Sequence, residues 1–337
     1  MRRTRRLLGA CLAGACLLAL GACGAKQDAL TAPGAKPFNV MLDWFPNADH
    51  AALYTALAHG EFRDVGLDVH LVAPSQTDEP LKLLAAGKVD MAVSYEPELL
   101  LARDQGLHLV SIGALVQRPL TSIIALQSAH ISSVADLRGK TVGTAGIPYQ
   151  AAMLKAALHA AHVSDSAVKE VNVGFDLVPA MLSGKVDATL GGYWNYEAIQ
   201  LRQQHKKPNV IPVSRGGVPT YDELVLVTTE KYFANHVSLL RRLVQAIARG
   251  YYAVRSNPSQ GVAALDAANP SLDPKLQNAA VRATLPAFFP GEDKPWGWQF
   301  QDQWNAYGKW MYEHRLIKHL AARDYASTNQ LLAGQGP

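Results

Sequence analysis

From Phe38 onward the chain alternates short β-like runs with runs that have the apolar spacing of helices. FNVMLDWF, LDVHLVAP and VDMAVS have the pattern of strands. DHAALYTALAHGEF and EPLKLLAAG lie between them and have helical spacing, each with a glycine near its end. Strands that alternate with helices form parallel sheets joined by right-handed crossovers. The sequence therefore predicts an α/β fold.

One sequence unit occurs twice, as LLAAGKVDMAV at 83–93 and as MLSGKVDATL at 181–190. Each copy combines a helix end, a glycine, Lys-Val-Asp and a strand of small residues. An aromatic residue and a carboxylate follow in both places, in SYEPE at 94–98 and in GGYWNYE at 191–197. A turn as simple as GKVD can arise twice by chance, but two similar lobes that face each other explain the repeat better.

Two strand-like runs predict how the chain passes between these lobes. We expect TSIIAL at 121–126 to cross from the first lobe to the second, and DELVLVTT at 222–229 to cross back. The helical region from about Lys231 is expected to pack on the first lobe. Lobe 1 then comprises 38–120 and 229–337, and lobe 2 comprises 121–228 with the crossing strands. Two lobes joined by two strands form a hinge with a central cleft.

The first 22 residues are predicted to be a signal peptide, because a basic start, MRRTRR, precedes the short apolar run LLGACLAGACLLALGA. Leu20 to Cys23 resembles a bacterial lipobox, in which Cys23 becomes the lipid-bearing residue. An ordinary signal peptide or an anchor helix is the alternative. The polar stretch that follows makes 23–37 a flexible tether. We therefore expect an exported protein that is anchored to the membrane by lipid.

Charge and cysteine content exclude several classes of protein. The formal charge is +4, and four arginines in the first six residues account for all of it. A neutral body gives no reason to expect nucleic acid as a partner. All three cysteines lie at or before Cys23, so the body has no disulfide and no cysteine nucleophile. No Ser-His-Asp pattern is visible either, and we predict no catalytic residue, no cofactor and no metal.

Ligands of open α/β sheets bind at the carboxyl ends of the strands, and four loops qualify. They are DWFPNADH at 43–50, SYEPE, GTAGIPYQ at 143–150, and GGYWNYE. In the first, the indole of Trp44 beside the amide of Asn47 suits a flat polar ring, although a core tryptophan with a capping asparagine is the alternative. His50 is predicted to be a hydrogen-bonding histidine rather than a metal ligand.

The loop GGYWNYE offers a ring and a carboxylate together. A helix that begins near Tyr193 places Tyr193 and Glu197 on one face, with Trp194 pointing elsewhere. The ring can stack on an aminopyrimidine, and the carboxylate can accept from its exocyclic amine and a protonated ring nitrogen. An aromatic cluster that packs between helices is the alternative. Tyr221, just before the returning strand, lines the cleft or is a turn tyrosine.

From Phe38 to Ile317 the chain resembles the thiamine-pyrimidine-precursor binding proteins. LDWFPNADHAALY is the most specific part, supported by GKVDMAVSYEPE, the Tyr193 and Glu197 pair, PTYDELVLVTTEKYF and KWMYEHRLI. The resemblance extends to yeast-type pyrimidine synthases and to sulfonate- and taurine-binding proteins of ABC importers. It implies a two-lobed type II periplasmic-binding fold in which aromatic rings hold an aminopyrimidine and a carboxylate reads it.

Carried over by position, the resemblance gives Trp44 and Tyr193 as stacking residues and Glu197 as the partner of the ring nitrogen. It gives polar or wall contacts at Asn47, Tyr95 and Tyr221. The full set of predicted ligand-binding residues is Trp44, Asn47, His50, Tyr95, Ile147, Tyr193, Trp194, Glu197 and Tyr221.

The sequence thus predicts a monomeric binding component of an ABC importer, with a permease and its ATPase as partners. Another heterocycle such as a flavin-like compound, or a sulfonate, is the alternative ligand. A sensing module that contacts a receptor is an alternative role. The synthases are the enzymatic alternative, but they carry a cysteine-rich run that this chain lacks after Cys23.

Overall fold

The computed structural model describes residues 34–335 except 290 and 292. The described residues from Ala35 onward form one compact unit. The predicted signal peptide, Cys23 and most of the predicted tether lie outside the described residues. Among the residues that are described, no helix combines the length and the apolar character needed to cross a bilayer.

The described part of the chain contains ten strands and eleven α-helices. The strands are β1 (Lys36–Met41), β2 (Leu67–Val72), β3 (Met91–Ser94), β4 (Leu109–Val116), β5 (Thr121–Leu126), β6 (Thr141–Thr144), β7 (Lys169–Asn172), β8 (Ala188–Tyr193), β9 (Pro208–Pro212) and β10 (Leu224–Thr229). The helices are α1 (Ala51–Ala58), α2 (Pro80–Ala85), α3 (Glu96–Asp104), α4 (Pro148–Ala160), α5 (Leu177–Leu182), α6 (Glu197–Gln203), α7 (Glu230–Asn235), α8 (Val237–Ser256), α9 (Pro258–Ala268), α10 (Pro274–Thr284) and α11 (Gln301–Glu313).

The strands form two five-stranded sheets with the same plan. The first has the order β2-β1-β3-β10-β4, and the second has the order β7-β6-β8-β5-β9. In each, four strands run in one direction, and the fourth strand in the order is antiparallel to both of its neighbours. The strands that follow the two GKVD turns, β3 and β8, occupy the same central position in their sheets. The predicted α/β fold is confirmed.

The crossings between the sheets differ from the prediction. TSIIAL was expected to cross, whereas β5 lies within the second sheet and pairs with β8 and β9. The run 224–229 was expected to be a crossing strand of the second lobe, whereas β10 belongs to the first sheet and pairs with β3 and β4. The reason is its apolar sequence: Leu224 to Val227 are fully buried between two strands. The connections that cross are two loops, 117–120 before β5 and 217–223 before β10. The other lobe boundaries stay a prediction.

Among the helices after β10, α7 contacts β4 and β10 of the first sheet, and α8 packs against α1. Its buried residues recur at helical spacing, at Leu240, Leu243, Val244 and Ile247. The helix lies so close to α1 that a Cβ on Gly250 would be 2.2 Å from the carbonyl oxygen of Ala52. Glycine at this position therefore permits the close approach of the two helices.

Candidate functional site

A cavity lies between the two sheets. Each of the four loops predicted from the sequence contributes to it, at the carboxyl ends of β1, β3, β6 and β8. The start of α5, after β7, adds a fifth segment. The lining residues are Asp43, Trp44, Asn47, Tyr95, Ile147, Tyr149, Gln150, Leu177, Gly191, Tyr193, Tyr196 and Glu197.

The loop after β1 is fixed by its own hydrogen bonds. The Oδ1 atom of Asn47 accepts the backbone N–H of Asp49 at 2.8 Å, which caps the short 3-10 turn Ala48–His50. Its Nδ2 donates to the carbonyl oxygen of Phe45 at 3.1 Å. Asn47 thus stabilises the loop and also lines the cavity. The sequence offered capping and ligand contact as alternatives for Asn47, and one side chain is placed for both.

His50 lies behind this loop and orients a carboxylate. It is fully buried, and its Nδ1 accepts the backbone N–H of Asn47 at 3.3 Å. Nε2 therefore carries the ring proton and donates to Oδ1 of Asp43 at 2.8 Å. The hydroxyl of Tyr95 donates to the other oxygen of Asp43 at 2.9 Å. Asp43 reaches the cavity with both oxygens already hydrogen-bonded, and His50 itself does not line it.

Tyr193 and Glu197 come together by a different route from the predicted one. A helix beginning near Tyr193 is wrong: β8 ends at Tyr193 and α6 begins at Glu197. Gly191, which has a positive φ, lies at a bulge inside β8, and the turn at 194–196 separates the strand from α6. Oε2 of Glu197 accepts the backbone N–H of Tyr193 at 2.7 Å, and both residues line the cavity.

The Glu197 carboxyl is adapted to share a proton. Burial raises its pKa to about 7, while the backbone N–H of Tyr193 acts in the opposite direction. Near neutral pH the group can therefore donate or accept a hydrogen bond in the cavity. None of the twelve lining residues is a lysine or an arginine, so the cavity presents carboxyl groups without a positive side chain beside them.

Aromatic rings close the cavity from both sides. Trp44 contacts Phe175, in the turn after β7 of the second lobe, edge-on, with ring centroids 4.6 Å apart. Tyr95 and Tyr149, which also belong to opposite sheets, have centroids 5.4 Å apart. These contacts join the two halves around the cavity, so the structure represents a closed arrangement of the cleft.

Three of the nine predicted residues lie outside the lining, and each has another contact. His50 supports Asp43, as described above. The Nε1 of Trp194 donates to the carbonyl oxygen of Pro119, on the first crossing loop, at 3.1 Å. Tyr221 is fully buried, and its ring centroid is 4.9 Å from that of Tyr307. The other six line the cavity together, and ligand contact itself stays a prediction for all nine.

Six lining residues were not predicted, and most had a signal in the sequence. Asp43 and Tyr196 lie inside two of the quoted loops, and Tyr149 and Gln150 end a third. Gly191 has a φ of +106°, and a Cβ there would be 2.4 Å from Nε2 of Gln150. Leu177 follows β7, whose strand was not recognised, and nothing in the sequence marked it.

The two sheets with a cavity between their carboxyl ends define the two-lobed fold of periplasmic binding proteins. The periplasmic aliphatic sulphonate-binding protein of Escherichia coli has the same fold, with a TM-score of 0.65 and 17% identity. That comparison covers 88% of this chain and 98% of the other. At this identity the likeness shows the fold alone.

The chain belongs to the NMT1/THI5-like family, whose profile matches residues 47–261. It is 35% identical to the formylaminopyrimidine-binding protein of Halalkalibacterium halodurans, over 83% of this chain and 86% of that protein. It is 34% identical to a putative thiamine biosynthesis protein of Haemophilus influenzae, over 74% of this chain and 79% of that protein. The predicted family is confirmed.

Proposed function

We propose that the protein captures an aminopyrimidine precursor of thiamine, such as formylaminopyrimidine or hydroxymethylpyrimidine, in the cavity between its lobes. The observation that carries the proposal is that the buried Glu197 carboxyl and the Tyr193 side chain line the same cavity, which has no positive side chain. A relative named for binding formylaminopyrimidine supports this choice of ligand.

In this proposal one carboxyl recognises the ligand through hydrogen bonds, and aromatic rings bind it by stacking. Glu197 forms a paired contact with the exocyclic amine and the adjacent ring nitrogen, sharing one proton with that nitrogen. Tyr193 and Trp44 supply the stacking surfaces. Asn47 and Tyr95 form polar walls, and Ile147 provides an apolar wall.

The charge of the cavity argues against a sulfonate. An anion would need a positive side chain or free N–H donors, whereas the lining contains the carboxyls of Asp43 and Glu197. A neutral or protonated heterocycle avoids this repulsion. A flavin-like ring shares that advantage, and it is therefore included in the experiment below.

We further propose that the protein is exported, anchored through Cys23, and delivers its ligand to an ABC permease. The basic and apolar start of the chain and the lipobox-like sequence support export and anchoring. The periplasmic-binding fold supports delivery, because closure of two lobes on a ligand produces a shape that a permease can distinguish from the open form. We propose no catalytic role, because the chain has no cysteine after Cys23.

The test is a thermal-shift comparison on the chain from residue 35 onward, which forms one compact unit. Formylaminopyrimidine, hydroxymethylpyrimidine, thiamine, riboflavin, taurine and nitrate are added separately. A ligand that binds only the folded protein raises the Tm by mass action. We expect a rise with an aminopyrimidine and none with taurine or nitrate. A rise with riboflavin or taurine alone would overturn the proposed ligand.

A further inference from the structure

Asn195 joins the two lobes across the cleft. It lies in the turn between β8 and α6 and is fully buried. Its Nδ2 donates to Oδ1 of Asp49 at 2.8 Å and to the hydroxyl oxygen of Thr284 at 2.6 Å. Asp49 follows β1 of the first sheet, and Thr284 ends α10. One amide of the second lobe is therefore held by two elements of the other lobe.

The residues that carry these bonds are neighbours of the cavity in sequence. Asn195 is two residues from both Tyr193 and Glu197, and Asp49 is bonded through its backbone to the side chain of Asn47. Neither Asn195 nor Asp49 lines the cavity. A ligand that contacts Tyr193, Glu197 and Asn47 therefore fixes the segments on which Asn195 and Asp49 stand.

We propose that Asn195 is a latch residue, which stabilises the closed lobes without touching the ligand. Its two donated bonds exist only when the lobes are closed, because their acceptors belong to the first lobe. The latch is a positioning device: it slows ligand release by holding the cleft shut. This goes beyond the proposed function, and only the ligand arm of the test below rests on that function.

The chemistry of the latch makes it reversible. The Oδ1 of Asn195 and the Oδ2 of Asp49 are buried and have no hydrogen-bond partner among the described residues. Opening the cleft exposes both oxygens to water, and their hydration offsets part of the loss of the two closed-state bonds. The ligand then supplies the additional free energy that favours the closed form over the open form. The cleft can therefore open again when the ligand leaves.

Asparagine also suits this position better than its closest substitutes. The amide supplies two protons, one for each acceptor, and no charge. An aspartate in its place would offer no proton and would put a second carboxyl beside Asp49. Other bonds also cross the cleft, among them those from Thr77 to the carbonyl oxygen of Ala145 and from Gln277 to the hydroxyl of Tyr196, and both remain when Asn195 is changed.

The test measures the distance between the lobes. Cysteines are introduced at the exposed residues Gln76 and Asp176 of the chain from residue 35 onward, which has no other cysteine, and are spin-labelled. Each site adjoins a residue that contacts the opposite lobe, Thr77 or Phe175. Distance distributions are recorded without ligand and with formylaminopyrimidine, and ligand dissociation is followed by stopped flow.

We expect Asn195→Ala to lower the closed fraction and to raise the dissociation rate about tenfold. Asn195→Asp should do the same, and Thr284→Val should have a smaller effect. The matched control is Asn209→Ala, because the amide of Asn209 bonds the carbonyl oxygen of Ile131 within the second lobe. This control should leave the closed fraction and the dissociation rate unchanged.

Two results would overturn the latch. One is an unchanged closed fraction in Asn195→Ala, and the other is an original protein that never shows the short distance. If the original protein closes but does not respond to formylaminopyrimidine, the proposed ligand is refuted instead. The closed fractions of Asn195→Ala and Asn209→Ala without ligand then still decide whether Asn195 is a latch.

Discussion

The carboxylate of Glu223, on the second crossing loop, accepts both the backbone N–H and the hydroxyl of Thr121, where the first crossing loop enters β5. The distances are 2.8 Å and 2.7 Å. It also accepts the backbone N–H of Leu120 at 2.6 Å and the hydroxyl of Tyr221 at 3.2 Å. One fully buried carboxyl thus ties together the two loops that connect the lobes.

Glu223→Ala should destabilise the protein by about 3 kcal/mol, because it leaves several buried donors without an acceptor. Glu223→Gln keeps one acceptor oxygen and should lose less. The free energy of unfolding in urea is the measurement. A loss of less than about 0.5 kcal/mol in Glu223→Ala would show that the loops do not depend on this carboxyl.

Trp44→Ala should weaken formylaminopyrimidine binding by roughly tenfold to a hundredfold, because it removes a stacking surface of the cavity. Trp194→Phe is the matched control, since Trp194 lies outside the lining and bonds the carbonyl oxygen of Pro119. It should bind within about threefold of the original protein. Calorimetric titration measures both, and equal losses in the two variants would contradict the assignment of Trp44.

The stability of the ligand-free protein should fall as the pH rises from about 5.5 to about 8. Burial raises the pKa of Asp49, Glu98, Glu197 and Asp222 to about 7. Between their ordinary values and about 7 the folded protein binds more protons than the unfolded chain, so these groups stabilise most at low pH. Urea unfolding at several pH values measures this, and rising stability over the range would contradict it.

Gly191→Ala should destabilise the protein by about 1–2 kcal/mol and weaken ligand binding. The φ of +106° strains any other residue, and the new Cβ would displace Gln150 in the cavity wall. Gly174→Ala is the control, because Gly174 also has a positive φ but open space around its missing Cβ. It should leave ligand affinity unchanged. The melting temperature reports the backbone strain, and calorimetry reports the effect on ligand affinity. An unchanged affinity in Gly191→Ala would refute the crowding of Gln150 by the new Cβ.

Much of the fold could be predicted because its strands are short apolar runs between well-marked helices. The repeated GKVD unit placed β3 and β8 correctly as equivalent strands. Local pattern could not show that β10 inserts between β3 and β4, because strand partners far apart in sequence are chosen by packing. The sequence analysis therefore took β10, a core strand of the first sheet, to be the segment that connects the second lobe to the first.

The site was predicted where residues cluster in one loop and was missed where the fold brings distant segments together. Trp44 and Glu197 lie in loops rich in aromatic and polar residues. Tyr149 contacts Tyr95 only because the lobes face each other, which no local pattern records. The role of His50 as a support for Asp43 depends on which ring nitrogen accepts a backbone proton, and this needs the folded loop.

The most direct test of the central claim is the ratio of formylaminopyrimidine affinities of the original protein and Glu197→Gln, measured by calorimetry. The glutamine keeps an oxygen that can accept from the backbone of Tyr193 but cannot form the charge-assisted pair with the pyrimidine. We predict that the original protein binds and that the variant binds about tenfold more weakly, with an unchanged Tm. Equal affinities would remove Glu197 from recognition of the ligand, and the absence of binding by the original protein would contradict the proposed function itself.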